Sequence, residues 1–300
     1  MKAIQTKGLR RAFGQLEVLK GIDLEVEQGG VYGFLGPNGV GKTTTLRILL
    51  GLIDADAGSV QVLGRDPRQH GEWVRSKSGV LLEHHGLYER MTAYDNLRFH
   101  AKLHRMDPGT AHKRINQVFE DMGLVDRKFE LVDDWSRGMK RRLAVHRAFL
   151  HQPDLVFLDE PTSGFDPRAA NELREHIRET AETGSTIFLT THNMAEAEIM
   201  CDEVGILNQG HLISQGSIHD IRGGAQIHFR GTVPESALAT MKRRKQVVRT
   251  ELTTDGARVF LDGDLSSTPL IQTILRAGGT IEEVRREGTS LEQSFLEALQ

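Results

Sequence analysis

The chain has 300 residues, 38% of them apolar, with a formal net charge of −3 and one cysteine. This composition is that of a globular protein with a sizeable core, and the slightly acidic balance argues against a general nucleic-acid binder. A lone cysteine excludes an internal disulfide and fits a reducing compartment, so Cys201 is interpreted as a small buried residue. No apolar run reaches ~18 residues and no signal peptide is apparent, so we expect neither a membrane span nor secretion.

Three short apolar runs open the chain and predict antiparallel strands, over residues 4–9, 16–19 and 22–26. Further on, buried strands alternate with helical segments, which is typical of a mainly parallel sheet covered by helices. The strands predicted for this sheet cover residues 31–35, 155–158, 186–190 and 202–207. A helical region interrupts the alternation, with helices predicted over residues 93–103 and 110–122.

A glycine-rich segment lies between the strand at residues 31–35 and a helix predicted over residues 43–50. Its spacing, G-x-x-x-x-G-K-[ST], is that of a P-loop, in which backbone N–H groups and a helix N-terminus point at phosphates. Lys42 is expected to reach the β- and γ-phosphates, and the Thr43 hydroxyl to bind Mg²⁺. The expected nucleotide-binding residues are Gly36, Pro37, Asn38, Gly39, Val40, Gly41, Lys42, Thr43 and Thr44.

Two acidic residues follow the strand at residues 155–158, at the edge where open α/β sheets bind ligands. Asp159 is expected to hold Mg²⁺, and Glu160 to orient and deprotonate an attacking water molecule. The alternative for this pair is an acid that caps a helix.

Taken in this order, the motifs resemble those of ATP-binding cassette (ABC) ATPases over about residues 1–220. Ser136-Arg137-Gly138-Met139 stands in the place of the family signature Leu-Ser-Gly-Gly-Gln, ahead of a helix predicted over residues 139–150. Ser163-Gly164-Phe165-Asp166 resembles the D-loop, and His192 follows Thr190-Thr191 as the switch histidine does. Phe13 falls where the family stacks an aromatic ring on adenine, with a core aromatic as the alternative.

The resemblance implies an α/β P-loop NTPase of ABC type that uses ATP and Mg²⁺. It also implies a head-to-tail homodimer, in which each ATP lies between one P-loop and the signature of the partner cassette. In that arrangement Ser136, Gly138 and Asp166 bind nucleotide, and His192 is a catalytic residue that contacts the γ-phosphate.

Two segments depart from the family pattern, the signature and the Q-loop. Arg137 replaces the first signature glycine, so either that glycine is not needed for its conformation or the signature is weakened. Trp135 and Met139 also differ from the signature, and a basic residue before Gly-Met is common in cassettes resembling bacterial drug and antibiotic exporters. Glu83 stands at the Q-loop glutamine and is expected to coordinate Mg²⁺.

Two further clusters, one of histidines and one of basic residues, are interpreted as surface features without a binding role. His84 and His85 lack other ligands at metal spacing and are interpreted as loop surface. Lys140-Arg141-Arg142 is interpreted as a solvated helix face rather than a nucleic-acid patch.

Residues 223–300 are predicted to form a second domain after residues 1–222, of which about 88–150 form the helical subdomain. Arg222-Gly223-Gly224 is the expected linker. Strands predicted over 226–230, 246–252, 257–261 and 280–287 alternate with helices over 234–241 and 268–277, and a helix over 290–299 follows. This order suggests a ferredoxin-like α+β fold. The run from Lys242 to Lys245 is interpreted as a solvated turn, with an anionic lipid contact as the alternative.

The sequence therefore predicts the ATPase subunit of an ABC exporter, bound to separate transmembrane permease subunits at the cytoplasmic face of the membrane. No nucleic-acid partner is expected. The alternative is a soluble ABC ATPase that remodels a protein or nucleic-acid complex. A GTP-dependent switch is disfavoured because the chain lacks a base-specific Asn-Lys-x-Asp segment.

Overall fold

A computed structural model describes residues 1–221, 226–261, 265–287, 291–292 and 295. The chain divides into two compact units, Met1–Gln215 and Gly216–Gln300. Each unit has a hydrophobic core of its own. The predicted linker, residues 222–224, and most of the helix predicted over 290–299 lie outside the described residues.

The strands of the first unit are β1 (Lys2–Phe13), β2 (Leu16–Glu27), β3 (Val31–Leu35), β4 (Ala57–Val62), β5 (Ser78–Leu81), β6 (Leu155–Asp159), β7 (Thr186–Thr191), β8 (Glu203–Asn208) and β9 (His211–Ser217). Its helices are α1 (Lys42–Leu49), α2 (Pro67–Ser76), α3 (Ala93–Leu103), α4 (Pro108–Asp121), α5 (Arg137–Phe149), α6 (Pro167–Glu182) and α7 (Met194–Met200).

A mainly parallel sheet forms the centre of the first unit, in the order β5-β6-β7-β3-β8-β9. Neighbouring strands from β5 to β8 pair in parallel. Every residue of β3, β6 and β7 is buried, which explains why these strands are continuous apolar runs rather than alternating ones. The predicted mainly parallel sheet is thus confirmed, and the carboxyl ends of these strands lie along one edge.

A second sheet holds the N-terminal strands in the antiparallel order β2-β1-β4. The prediction of two separate strands over residues 16–19 and 22–26 is wrong in one respect, because these residues form the single strand β2. Gly21 has φ +90° in the middle of that strand, where the register between β1 and β2 shifts. A glycine at an irregularity of this kind bends a strand without ending it. Strand β4 was not among the predicted elements.

Helices α3 to α5 form the helical region between the P-loop and β6. Helix α3 has the predicted bounds, and α4 begins at Pro108, capped by the carboxylate of Asp107. Buried side chains on one face of each helix, such as Leu97 and Phe119, explain the helical spacing of apolar residues. Within the described residues, no helix is long and apolar enough to cross a membrane.

Cys201 is buried next to β3, as predicted. A Cβ atom at Gly33 would lie 2.7 Å from its Sγ atom, so the glycine makes room for the thiol. Burial raises the pKa of this thiol well above its usual range, which leaves it protonated and unreactive.

The second unit contains α8 (Ile218–Ile221), β10 (Gln226–Arg230), α9 (Glu235–Met241), β11 (Val247–Thr253), β12 (Gly256–Leu261), α10 (Thr268–Arg276) and β13 (Glu283–Glu287). Its sheet has the order β11-β12-β10-β13 and is antiparallel throughout. The β-α-β-β-α-β succession is therefore that of the predicted ferredoxin-like fold. Residues 242–245 are exposed at the turn after α9, as expected for a solvated turn.

Candidate functional site

The P-loop lies between β3 and α1, and close packing explains its glycines. A Cβ atom at Gly36 would lie 2.2 Å from the Leu207 carbonyl oxygen, and one at Gly41 would lie 2.5 Å from Leu19 Cδ2. Gly41 also has φ +115°, in the left-handed region that favours glycine. The backbone therefore turns tightly here and presents the N-terminus of α1 at the carboxyl edge of the sheet.

Lys42 lies beneath this loop and is only 6% exposed. Its Nζ atom donates to the Gly36 carbonyl at 2.6 Å and to the Pro37 carbonyl at 3.1 Å. The same atom is 3.4 Å from Glu160 Oε1. The ammonium group is thus held at the loop by carbonyl oxygens and faces the acidic end of β6.

Asp159 ends β6 and is 3% exposed, with both carboxylate oxygens bound. Thr43 Oγ1 donates to Asp159 Oδ2 at 2.9 Å, and Thr190 Oγ1 donates to Oδ1 at 2.5 Å. The Thr43 hydroxyl and the Asp159 carboxylate are oxygen atoms of the type that Mg²⁺ prefers. The capping alternative for this acidic pair is wrong, because the next helix, α6, is capped by Asp166.

Glu160 has an unusual backbone conformation, with φ +48°. For a residue other than glycine the left-handed region costs about 1–2 kcal/mol, so other contacts must hold it. Its N–H donates to the Thr190 carbonyl at 3.1 Å, and its Oε2 atom is 2.9 Å from His192 Nδ1. A carboxylate oriented by an imidazole, with its other oxygen near an ammonium group, has the arrangement of a general base.

The basic run on α5 has a different role from the predicted one. The Arg141 guanidinium donates to four backbone carbonyls, those of Leu82, Glu83, Asp159 and Glu160. Lys140 donates to Glu89 at 3.0 Å, and Arg142 donates to Glu172 at 3.1 Å. The predicted solvated helix face is wrong, because all three side chains are at least half-buried and bind groups of this chain.

The signature segment forms the N-terminus of α5. Ser136 is exposed and caps the helix, with its Oγ atom accepting from the Met139 N–H at 3.3 Å. Arg137 is the first residue of the helix and has no positive φ. A glycine at position 137 is therefore not needed for the backbone conformation of this chain. A Cβ atom at Gly138 would meet nothing within 4 Å, so the space beside it is open within the described residues.

A cavity of about 930 Å³ joins these elements, within the size range of small-molecule sites. Its lining residues come from the P-loop, the loop after β5, the N-terminal part of α5 and the segment after β6. They are Asn38, Gly39, Gly41, Lys42, Thr43, Thr44, Glu83, His84, His85, Glu89, Arg137, Gly138, Lys140, Arg141, Asp159, Glu160, Ser163 and Gly164. The structure thus brings together the P-loop, Glu83, Gly138 and the acidic pair.

Seven predicted residues do not line this cavity. Three of them belong to the P-loop, Gly36, Pro37 and Val40, and the other four are Phe13, Ser136, Asp166 and His192. Phe13 ends β1 and is 48% exposed, with the Arg11 guanidinium 4.8 Å from its ring centroid, so the core-aromatic alternative is wrong. The Asp166 carboxylate accepts from the Arg168 and Ala169 N–H groups, which lower its pKa.

Sequence reasoning did not assign Arg141 and Thr190 to the site. Thr190 precedes Thr191 and His192 at the end of a predicted strand, which was a usable signal for the site, although its contact with Asp159 was not. Arg141 gave no such signal, since a basic residue in a helix is more often solvated. His84 is exposed and His85 half-buried on the cavity wall, where His85 Nε2 is 3.4 Å from Glu89 Oε1.

Comparison with known proteins agrees with this geometry. A family model described as ABC transporter matches residues 19–163. The linearmycin resistance ATP-binding protein LnrL of Bacillus subtilis (strain 168) is 36% identical over 218 residues, which cover 73% of this chain and 70% of that protein. The chain belongs to the ABC transporter family. It is an ATP-binding subunit with the ABC-type P-loop fold, and its activity is that of an ATPase.

Other relatives extend the similarity. The bacitracin transport ATP-binding protein BcrA of Enterococcus faecalis is 31% identical over 294 residues, covering 97% of this cassette chain and 94% of that protein. A solved structure of an ATP-binding subunit of an ABC transporter has a TM-score of 0.70 and 30% identity, covering 73% of this chain and 92% of that one. ABC ATP-binding subunits of this family work with membrane permease subunits.

Proposed function

We propose that this cassette is the ATPase subunit of an ABC exporter, bound to separate permease subunits at the cytoplasmic face of the membrane. The observation that carries the proposal is the similarity to the bacitracin transport protein, because it spans 97% of the chain and so includes the second unit. Relatives named for resistance to linearmycin and daunorubicin support the direction of transport. Residues 223–300 serve as an accessory domain in this proposal.

The site residues have the following roles in the proposal. Phe13 stacks on adenine, and residues 36–44 bind the phosphates, with Lys42 on the β- and γ-phosphates. Thr43, Glu83 and Asp159 hold Mg²⁺, which neutralises phosphate charge when bound. Glu160 takes a proton from the attacking water, and His192 positions Glu160 and contacts the γ-phosphate. The 2.9 Å contact between Thr43 and Asp159 and the equal distance between Glu160 and His192 support these assignments.

The proposal also includes a head-to-tail homodimer. Ser136, Gly138 and Asp166 of one cassette then contact the nucleotide of the other, with the N-terminal amides of α5 facing its γ-phosphate. The exposure of Ser136 supports a contact made outside this chain, and the open space beside Gly138 leaves room for a nucleotide there.

The dimer is tested with Glu160→Gln, which keeps the shape of the side chain and removes its basicity. The variant is expected to bind ATP, to hydrolyse it at least about 100-fold more slowly, and to accumulate ATP-dependent dimers in light scattering after gel filtration. Lys42→Ala is the control, expected to lose ATP binding and to remain monomeric. Near-normal turnover by Glu160→Gln would contradict the proposed role of the glutamate.

The exporter assignment is tested by purifying the tagged Glu160→Gln cassette with ATP from detergent-solubilised membranes of its native host. A polytopic membrane protein is expected in a fixed ratio to the cassette. Recovery of only a soluble protein or nucleic-acid complex would contradict the assignment and favour a remodelling ATPase.

A further inference from the structure

Three histidines lie side by side in the helical region, away from the residues that line the nucleotide cavity. His100 lies in the last turn of α3 (Ala93–Leu103), His104 is the residue that caps the C-terminal end of that helix, and His151 follows the C-terminal end of α5. One nitrogen atom of each ring lies within 4.8 Å of one nitrogen of the other two. The His104 and His151 rings are stacked with centroids 3.6 Å apart, and the His100 ring lies 4.6 Å from that of His104.

Hydrogen bonding leaves three ring nitrogens of this cluster without a partner, whereas the Ser76 backbone interacts with His104. The Nε2 atom of His100 and both ring nitrogens of His151 are buried without a hydrogen-bond partner. The Ser78 backbone raises the pKa of His151 slightly against the effect of burial. No hydrogen bond joins the two groups, however, because both ring nitrogens of His151 are without a partner. A buried nitrogen without a partner costs about 1–3 kcal/mol, so a ligand that binds these lone pairs would remove a real penalty.

The rings are in the protonation state that metal binding requires. Burial, with Arg147 as the next cause, lowers the pKa of His100 to about 3, and burial, with His104 as the next cause, lowers that of His151 to about 4. Burial also lowers the pKa of His104. Neutral imidazoles bind a metal ion without first releasing a proton, so no proton competes at neutral pH.

We propose that His100, His104 and His151 bind a transition-metal ion of the zinc type, with water as a fourth ligand. Imidazole nitrogens suit Zn²⁺, Ni²⁺ and Cu²⁺, whereas Mg²⁺ and Ca²⁺ require oxygen ligands. Tetrahedral Zn–N bonds of about 2.0–2.1 Å place the nitrogens about 3.4 Å apart. The ring nitrogens lie within 4.8 Å of one another, so binding requires the rings to turn and approach by about 1.4 Å.

Such an ion would join two elements that are distant in sequence. Two ligands come from α3, and the third comes from the end of α5, whose N-terminus carries the signature segment. The bound metal therefore stabilises the packing of α3 against α5.

The test uses the full-length chain without an affinity tag and without nucleotide. Titration calorimetry with ZnCl₂ is expected to give one saturable site, and Co²⁺ is expected to give the absorption bands of a tetrahedral site. His100→Gln, His104→Gln and His151→Gln should each weaken binding at least about tenfold. Zn²⁺ should raise the melting temperature of the original chain and not that of these variants.

His176→Gln is the matched control. His176 pairs with His146 at a centroid distance of 5.0 Å, and its Nε2 atom is also unpartnered, but no third histidine completes a metal cluster there among the described residues. This variant should bind zinc as the original chain does, and melting without metal checks that every variant folds. The proposal is overturned if the original chain shows no saturable site. Loss of binding only in a His84→Gln/His85→Gln double variant would overturn it equally, since the ion would then lie in the cavity.

Discussion

Arg141 connects the two chain segments that carry the acidic side chains of the site. Its guanidinium donates to the Asp159 and Glu160 carbonyls at 2.7 and 2.9 Å, and to the Glu83 carbonyl at 3.1 Å. The Glu160 bond is the notable one, because it restrains a residue whose φ of +48° is unfavourable. We therefore infer that Arg141 is a positioning residue, which acts through the backbone on the geometry of Glu160, the proposed base.

Arg141→Lys keeps the charge but cannot make a planar fork of hydrogen bonds. Loss of one charge-assisted bond, worth about 1.5–3 kcal/mol, should lower kcat roughly 10- to 100-fold. Since Arg141 has no assigned contact with nucleotide, KM for ATP should change little. Steady-state ATPase assays measure both constants. Arg142→Lys is the control, because Arg142 binds Met122 and Glu172 outside the cavity. Equal activity of the two variants would contradict the positioning role.

At the scale of elements, regular burial explains which predictions succeeded. Helix α3 has the predicted bounds because its buried residues recur at helical spacing, and strand β10 has them because the fully buried Ile227 and Phe229 lie two residues apart. Helix α2 was not predicted, since only Pro67 and Val74 are buried in it, too few to show a period. Strand β4 was not predicted for the same reason, because only two of its residues are buried.

In the candidate site, too, some features could be predicted from the sequence and others could not. The P-loop and the acidic pair could be predicted because each motif is contiguous in sequence. The contacts of Arg141 with Glu83 and of Thr190 with Asp159 could not, because they join residues brought together only by the sheet. The histidine cluster on α3 and after α5 is hidden for the same reason.

Helix α5 also carries a pH-sensitive residue in its middle. Burial lowers the pKa of His146 from 6.5 to about 3, and the nearby His176 and Arg142 contribute smaller effects in the same direction. Below pH 6.5 the unfolded chain therefore takes up a proton that the folded chain does not. The free energy of unfolding should fall as the pH falls through this range, by up to about 1.4 kcal/mol per pH unit from this residue.

His146→Gln removes that contribution and should make the loss of stability with acid less steep. Urea unfolding of both proteins at several pH values between 6.5 and about 4 measures the slopes. His211→Gln, at an exposed position of β9, should leave the slope of the original chain unchanged. Parallel slopes for His146→Gln and the original chain would show that this imidazole is protonated in the folded protein.

At the scale of the whole molecule, the chain has two cores that are separate in sequence. One is built on the sheets of the first unit and includes Phe34, Phe157 and Phe188. The other packs α9 and α10 on the antiparallel sheet of the second unit and includes Phe229 and Ile274. Because the residues proposed to bind nucleotide all lie in the first unit, a ligand at that site should stabilise one core and not the other.

Differential scanning calorimetry should therefore show two transitions, of which ATP with Mg²⁺ shifts only one. At a ligand concentration about 100 times Kd the gain is about 2.7 kcal/mol, or roughly 5–10 °C for a unit of this size. The Glu160→Gln background keeps the nucleotide intact during the scan. Ile274→Ala, at a buried position of α10, should lower only the transition that ATP leaves in place. Adding Lys42→Ala should abolish the shift. A single transition that responds to both ATP and Ile274→Ala would instead mean that the two cores unfold as one cooperative structure.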